Sequence, residues 1–252
     1  MSADAPDLTH DAFLDGRVRA WQPASGYRAG TDPVLLAAAV EARAGQSVLE
    51  LGCGVGVASL CLAARVPGLR VTGVERQGSY ADLARRNVAE AGLEAQIVTA
   101  DLADLPGELR QQSFDQVVAN PPYFPPETGT AAADPGREAA LREDTPLADW
   151  IAVGRARLAP RGWLTLILSS DRLPDALAAM NGLGSVAVRP VAGRTGRDAG
   201  RVLIRARKGG RAPFRLLAPV VLHAAPHHAG DREDQTDIAR AILRDAQPLP
   251  WD

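Results

Sequence analysis

The chain has 252 residues, a formal net charge of −2, 46% hydrophobic residues and 4% aromatic residues. This length and apolar content suit one large domain with a sizeable core, and the shortage of aromatic residues favours helices on a parallel sheet over a β-sandwich. A near-neutral charge gives no general sign of nucleic-acid binding, so such binding would need a local basic patch.

Two cysteines, Cys53 and Cys61, are too few for a disulfide framework. No Cys/His set has the spacing of a zinc site, so we expect no metal. The acidic start of the chain shows no signal peptide, and no apolar run approaches the roughly 18 residues of a membrane helix. We therefore expect a cytoplasmic protein with no membrane partner.

The N-terminal residues, 1 to about 30, lack a clear period and are interpreted as an arm. Asp32 as N-cap and Pro33 at the first helical position predict a helix that runs to about Ala42. Residues 1–45 would then form an N-terminal arm and helix ahead of a domain that spans residues 46–252.

From Gln46 onward, short apolar runs alternate with helical stripes. The predicted strands are Ser47–Leu51, Arg70–Glu75, Ala95–Thr99, Phe114–Ala119, Gly162–Leu168, Val186–Val191 and Arg201–Arg207; the predicted helices are Val57–Val66, Ser79–Ala91, Leu147–Leu158 and Asp171–Asn181. Repeating β–α units imply an α/β fold with a Rossmann-like, doubly wound, seven-stranded sheet. The sheet would be mostly parallel, with one antiparallel C-terminal strand in a final hairpin.

A glycine-rich loop follows the first buried strand and precedes a helix, where small residues let a ligand approach the backbone. Its candidate ligand-binding residues are Glu50, Gly52, Cys53, Gly54 and Gly56. The spacing G-x-G-x-G differs from the G-x-G-x-x-G of dinucleotide sites. The loop therefore predicts a cofactor site, but it does not match the loop that binds a dinucleotide such as a nicotinamide cofactor.

Acidic residues follow the next two strands. Glu75 ends the second strand, where a carboxylate can accept hydrogen bonds from both ribose hydroxyls. Asp101 follows the third strand and is placed to accept a hydrogen bond from an adenine amine, with Leu102 covering an adenine face. Three such features at successive strand ends predict an adenosine-containing cofactor.

The tetrapeptide Asn120-Pro121-Pro122-Tyr123 follows the fourth strand. We interpret these four residues as catalytic. An amine conjugated to a ring or carbonyl is a poor nucleophile, and two acceptors directed at its N–H hydrogens would stabilise the developing positive charge. The Asn120 side-chain oxygen and the Pro121 carbonyl can be those acceptors, Pro122 restricts the backbone, and Tyr123 can stack on a planar substrate.

Together the loop and the tetrapeptide resemble class I methyltransferases with an (N/D)-P-P-(Y/F) motif. The N-terminal stretch GYRAGTDPVLL, residues 26–36, further resembles bacterial adenine-N6 methyltransferases that act on valine tRNA. The resemblance implies S-adenosylmethionine as cofactor, with residues 1–45 packing over the cofactor site. It also implies Arg28 and Thr31 as further pocket residues and Asn120 beside the methyl group. It implies an adenine of the anticodon loop as methyl acceptor.

A basic stretch near the end of the chain is the candidate RNA surface. Its residues are Arg194, Arg197, Arg201, Arg205, Arg207 and Lys208. Cations of this kind can contact phosphates, and Arg201, Arg205 and Arg207 share one face of a strand because their spacing is even. The stretch favours a tRNA partner.

Alternative functions stay open from the residues alone. A protein glutamine-N5 methyltransferase or an rRNA guanine-N2 methyltransferase would use the same tetrapeptide, because each acceptor is a planar N–H₂ group. A non-catalytic RNA-binding or S-adenosylmethionine-sensing module would have no need of Asn120. The oligomeric state, and closure of the loop at residues 125–144 over substrate, are not determined by the sequence.

Overall fold

The computed structural model of the chain describes residues 7–122, 145–227 and 234–252. Tyr123, the loop at residues 125–144 and His228 lie outside the described residues. The strands are β1 Leu8–Phe13, β2 Val18–Pro23, β3 Ser47–Leu51, β4 Arg70–Glu75, β5 Ala95–Thr99, β6 Phe114–Ala119, β7 Leu158–Ser169, β8 Leu183–Arg194, β9 Ala199–Lys208, β10 Arg215–Leu216 and β11 Val220–His223.

Helices connect most of these strands. They are α1 Thr31–Ala39, α2 Val57–Arg65, α3 Gly78–Glu90, α4 Gly107–Gln111, α5 Leu147–Arg157, α6 Leu173–Ala179 and α7 Asp237–Leu243, with short 3₁₀ turns at Leu102–Asp104 and Ser170–Arg172. The predicted helix at Asp171–Asn181 is thus split into a 3₁₀ turn and α6. Pro174 lies in the first turn of α6, where a missing N–H costs no helical hydrogen bond.

The main sheet has the order β5-β4-β3-β6-β7-β9-β8, and both β10 and β11 pair with β8 at its far edge. Strands β3 to β7 run parallel, and β9 is antiparallel to β7 and β8. The predicted α/β fold is confirmed, with two short strands beyond the seven that the sequence pattern indicated. The pattern found these strands because each contains a short apolar run, which in β3 is buried from Val48 to Leu51.

Register brings the ends of the central strands to one edge of the sheet. Leu51 of β3 pairs with both Val74 of β4 and Ala119 of β6, and Glu75 pairs with Thr99 of β5. In open parallel sheets, ligands bind beyond this carboxyl edge, beside the point where strand order reverses. Here the reversal falls between β3 and β6.

The N-terminal arm contains a hairpin that the sequence did not predict. Strands β1 and β2 pair antiparallel, and the Asn87 side chain of α3 bonds both the backbone N–H and the C=O of Trp21, at 2.7 and 3.0 Å. The Trp21 ring lies between His10, whose centroid is 4.4 Å away, and the guanidinium of Arg86 at 3.9 Å. These contacts fix the arm against α3.

The start of α1 differs from the prediction. The helix begins at Thr31 with Gly30 as N-cap, no side chain caps it, and it ends at Ala39. Asp32 therefore is not the N-cap; its Oδ2 accepts a hydrogen bond from Arg201 Nε at 3.0 Å. An ion pair with a distant strand has replaced the local capping bond that the sequence suggested.

The C-terminal segment completes the core on the α1 side of the sheet. Trp251 is 1% exposed, and its Nε1 donates to the carbonyl of Ala39 at 2.7 Å. Leu249 N donates to Ala38 O at 2.8 Å. The last turn of α1 thus has its outer carbonyls satisfied by the end of the chain.

Across residues 7–122, 145–227 and 234–252, no helix is long and apolar enough to cross a membrane. The same described ranges bring together no group of three or more His, Cys, Asp or Glu side chains that could hold a metal ion.

Candidate active site

A cavity that is partly open to solvent lies at the carboxyl edge of the sheet. Most of the residues that the sequence assigned to the site line it: Glu50, Gly52, Cys53, Gly54, Glu75, Asp101, Leu102, Asn120, Pro121 and Pro122. They come from the carboxyl ends of β3 and β4 and from the loops that follow β3, β5 and β6. The strand register, rather than sequence proximity, brings them together.

The loop after β3 depends on glycine at two positions. Gly52 and Gly54 have φ angles of +64° and +55°, which side chains disfavour. A Cβ on Gly52 would also lie 2.5 Å from the Trp150 ring, whereas a Cβ on Gly54 would meet nothing within 4 Å. Gly52 therefore lets Trp150 pack against the loop, and Gly54 leaves open space beside the cavity.

Glu75 holds the loop and presents a carboxylate to the cavity. Its Oε2 accepts a hydrogen bond from Gly54 N at 2.9 Å, and its Oε1 accepts one from Gln77 N at 2.8 Å. Burial raises the pKa of Glu75, and the backbone hydrogen bonds oppose that rise. Each carboxylate oxygen has a second lone pair, which suits the two hydroxyl donors of a ribose.

Glu50 is 4% exposed and lies at the inner wall of the cavity. Its Oε2 accepts hydrogen bonds from the backbone N–H and the hydroxyl of Ser59 in α2. Burial raises the pKa of Glu50 to about 7, with the Ser59 hydrogen bonds acting in the opposite direction. A cationic ligand group nearby would favour the ionised form.

Asp101 has a local partner that the sequence did not indicate. Its Oδ1 accepts from Ala103 N at 2.8 Å and so caps the 3₁₀ turn, and its Oδ2 lies 3.8 Å from Arg76 Nη1. Ala100 and Leu102 line the same part of the cavity, and Leu102 is 8% exposed. An apolar slot with one carboxylate at its side fits an adenine ring.

Asn120 follows β6 directly, and the two prolines after it also line the cavity. Its Nδ2 lies 3.5 Å from the hydroxyl oxygen of Tyr27. Tyr123, the last residue of the tetrapeptide, lies outside the described residues, so its stacking role stays a prediction.

Three predicted site residues do not line the cavity: Arg28, Thr31 and Gly56. Arg28 forms an ion pair with Asp11 at 2.6 Å and is 40% exposed. Gly56 is the N-cap of α2, and Thr31 opens α1. Their assignment as cofactor-binding residues stays a prediction.

Further residues line the cavity without having been singled out from the sequence. They include Tyr27, Ala29, Pro33, Val55, Arg76, Gln77, Tyr80, Thr145 and Trp150. Tyr27 and Ala29 belong to the stretch GYRAGTDPVLL, so that motif was a usable signal for them. Trp150 and Tyr80 sit on helical stripes that sequence patterns assign to core packing.

The candidate RNA-binding cations contact other parts of the chain. Arg201 pairs with Asp32, Arg205 Nη1 lies 2.7 Å from Glu41 Oε2, and Arg194 Nη1 lies 2.5 Å from Asp234 Oδ2. Lys208 Nζ donates to Leu158 O at 2.6 Å, and Arg207 Nε donates to Arg161 O at 3.0 Å. The even spacing on β9 holds, but the shared face packs on α1.

Arg197 lies in the β8–β9 turn. Arg201, near the start of β9, pairs with Ser169 at the end of β7, so this turn lies at the same edge of the sheet as the cavity. Its Nη2 is 3.4 Å from His227 Nδ1, and it is exposed. Phosphate binding by the six cations stays a prediction, for which Arg197 is the best placed.

Comparison with known proteins gives consistent results. The family described as Methyltransferase small domain matches residues 29–134. The chain is 39% identical over 174 residues to the tRNA1(Val) (adenine(37)-N6)-methyltransferase of Porphyromonas gingivalis, covering 66% of this chain and 68% of that protein. It is 30% identical over 211 residues to the protein of the same name from Aeromonas hydrophila, covering 81% and 86%.

A solved structure has the same fold. The crystal structure of a predicted O-methyltransferase from Agrobacterium tumefaciens aligns with a TM-score of 0.70 and 26% identity, covering 87% of this chain and 98% of that one. The alignment therefore extends beyond the central sheet to nearly the full length of both chains.

Proposed function

The chain belongs to the family of the tRNA1(Val) (adenine(37)-N6)-methyltransferases, and on this premise we propose that it methylates N6 of adenine 37 in tRNA1(Val), in the cytoplasm, with S-adenosylmethionine as donor. The observation that carries the proposal is the placement of Asn120, Pro121 and Pro122 in one cavity with Glu75 and the glycine loop. This placement supports a planar-nitrogen acceptor site that adjoins an adenosine site.

The cavity residues fit the cofactor. The Glu75 oxygens offer acceptors for ribose hydroxyls, the slot beside Leu102 suits adenine, and buried Glu50 suits the ammonium group of the amino-acid part. S-adenosylmethionine supplies an electrophilic methyl group carried on a sulfonium sulfur. The residues of the protein bind the cofactor, align the acceptor nitrogen with the methyl group and exclude water.

Asn120 and Pro121 act on the nucleophile. The Asn120 Oδ1 and the Pro121 carbonyl accept hydrogen bonds from the two N6 hydrogens, which opposes delocalisation of the nitrogen lone pair into the ring. That lone pair forms the N–C bond while the C–S bond breaks, with the sulfur keeping the bonding electrons. The methylated nitrogen then loses one proton to solvent, so no general base is needed before transfer.

The tRNA must present an unstacked base to this cavity, because a methyl donor held inside it cannot reach a base within a helix. Anticodon-loop nucleotides are already splayed, which lowers that cost. Exposed Arg197, at the same edge of the sheet, is placed to contact the phosphate backbone beside the target nucleotide.

A labelling experiment tests the proposal. The protein is incubated with methyl-labelled S-adenosylmethionine and a tRNA1(Val) transcript, and the RNA is digested to nucleosides. We expect the label in N6-methyladenosine, and none in a transcript that carries guanosine at position 37. Label in N2-methylguanosine, or only in protein glutamine when total protein is supplied, would contradict the proposal.

A further inference from the structure

Tyr27 contacts the proposed catalytic amide from a distant part of the chain. It lies between β2 and α1, whereas Asn120 follows β6, yet the Tyr27 hydroxyl oxygen is 3.5 Å from Asn120 Nδ2. Both side chains line the same cavity. Neither the tetrapeptide nor the glycine loop contains any information about this contact, because it is made only by the fold.

The backbone of Tyr27 is fixed by a second tyrosine. Tyr27 N donates to the Tyr80 hydroxyl at 3.0 Å, and that hydroxyl donates to Tyr27 O at 3.2 Å. Tyr80 is 5% exposed in α3. Two residues further on, Ala29 N donates to Gln22 Oε1 at 2.7 Å. The segment is therefore held on both sides of the Tyr27 side chain.

The contact bears on catalysis because the two ends of a carboxamide differ in their hydrogen-bonding capacity. Asn120 has a donor end, Nδ2, and an acceptor end, Oδ1, and only the acceptor end stabilises an attacking amine. A half-turn of the side-chain amide would place N–H against N–H. A hydroxyl can donate as well as accept, so it selects this orientation only when its own proton is directed away from Asn120; in the structure Nδ2 donates to the Tyr27 oxygen.

The Tyr27 hydroxyl remains neutral under assay conditions. Burial, with Asp32 and Glu50 nearby, raises its pKa to about 12. A neutral phenol keeps lone pairs that accept from Nδ2 and a proton for a second partner. A phenolate at this position would instead add a third negative charge beside Asp32 and Glu50.

We propose that Tyr27 is a positioning residue that accepts a hydrogen bond from Asn120 Nδ2 and so directs Asn120 Oδ1 at the adenine N6 amine. The inference rests on the proposed function, because the attacking amine is the one assigned there. Tyr27 contributes through Asn120 and does not itself contact the reacting nitrogen.

The first test is Tyr27→Phe in the full chain, which removes one oxygen and keeps the ring. We expect kcat to fall about tenfold, the range of one uncharged hydrogen bond, while KM for tRNA and the cofactor Kd change less than about twofold. Thr9→Val is the matched control, because it deletes a hydroxyl from the same N-terminal segment outside the cavity. Its kcat should equal that of the native chain.

A double-mutant cycle separates positioning from direct or structural roles. In an Asn120→Ala background, residual single-turnover methyl transfer is measured with labelled donor, and adding Tyr27→Phe should lower it less than about twofold. If Tyr27→Phe costs the same factor in both backgrounds, Tyr27 acts independently of Asn120 and the inference is wrong. A loss confined to cofactor Kd would also overturn it.

A second readout does not depend on turnover. The Asn120 side-chain amide resonance in ¹H–¹⁵N spectra is identified by its absence in Asn120→Ala. It should shift in Tyr27→Phe and stay in place in Thr9→Val. An unchanged resonance in Tyr27→Phe overturns the contact. If native protein methylates no tRNA, the proposed function fails while this spectrum still tests the Tyr27–Asn120 bond.

Discussion

Two regions of the chain carry clustered charges, and they differ in what those charges contact. At the carboxyl edge, Glu50 and Glu75 bond backbone N–H groups and line an open cavity, and burial raises the pKa of each. On the β8–β9 hairpin, Arg201 and Arg205 pair with carboxylates near or within α1. The first region keeps capacity for a ligand, and the second uses its charge to join elements.

The difference indicates that backbone signals beside a charged residue help to predict where its side chain lies in the fold. The acidic residues follow buried strands and a glycine loop, which fixes where they lie in a parallel sheet. The arginines were assigned to an RNA surface only from their number and spacing. Four substitutions test this contrast.

Asn120→Ala should have the largest effect, because it removes an acceptor that acts in the transition state. We expect kcat to fall about 10²- to 10³-fold. The cofactor Kd, measured by calorimetry, should remain nearly unchanged. If cofactor binding is lost in parallel with turnover, Asn120 belongs to the cofactor site and not to the amine.

Glu50→Gln should weaken cofactor binding and raise the free energy of unfolding at neutral pH. In the native chain the pKa of Glu50 is about 7, against 4.5 for the ordinary carboxyl. Between these pH values the unfolded chain loses the proton while the folded chain retains it, so the carboxyl makes folding less favourable as pH rises. The native chain should thus lose about 3 kcal/mol relative to Glu50→Gln from pH 4.5 to 7.

Urea unfolding at several pH values measures the difference in unfolding free energy between the native chain and Glu50→Gln. This difference should be nearly constant above about pH 7. The native cofactor affinity should rise over the same pH range, because the ionised carboxylate suits a cationic group, and Glu50→Gln should lose this dependence. Parallel stability curves for the two proteins would show that Glu50 ionises in the folded chain as freely as in the unfolded one.

Arg205→Met should destabilise the fold and leave RNA binding nearly intact. The guanidinium lies 4.5 Å from the Trp163 ring centroid and 4.6 Å from that of Trp251, and it pairs with Glu41. Losing these contacts should cost about 1–2 kcal/mol of unfolding free energy. A tRNA affinity that falls sharply without loss of stability would reassign Arg205 to the RNA surface.

Arg197→Ala should weaken tRNA binding and leave the stability of the fold unchanged, which is the reverse of Arg205→Met. Its effect should be the smallest of the four. Its side chain is exposed in the β8–β9 turn, so thermal unfolding should not change measurably. The tRNA Kd should rise severalfold, and the slope of log Kd against log salt should decrease by about one unit. Equal salt slopes for Arg197→Ala and native protein would remove the hairpin tip from the proposed interface.

Local sequence patterns were sufficient to predict the central sheet and the family. Short apolar runs located β3 to β6 at their observed bounds, and the loop and tetrapeptide led to the methyltransferase family. Such features are local, since each depends on residues within a few positions. The hairpin of the arm was missed because polar residues interrupt the apolar pattern of both strands.

Which polar groups pair with one another depends on the tertiary structure. It directed Asp32 to Arg201 instead of the helix end, enclosed Arg205 between two tryptophans, and brought Tyr27 to Asn120. These pairings join residues far apart in the chain. No local pattern encodes them, because hydrogen bonds and ion pairs depend on distances that exist only after the sheet has formed and the arm has packed against α3.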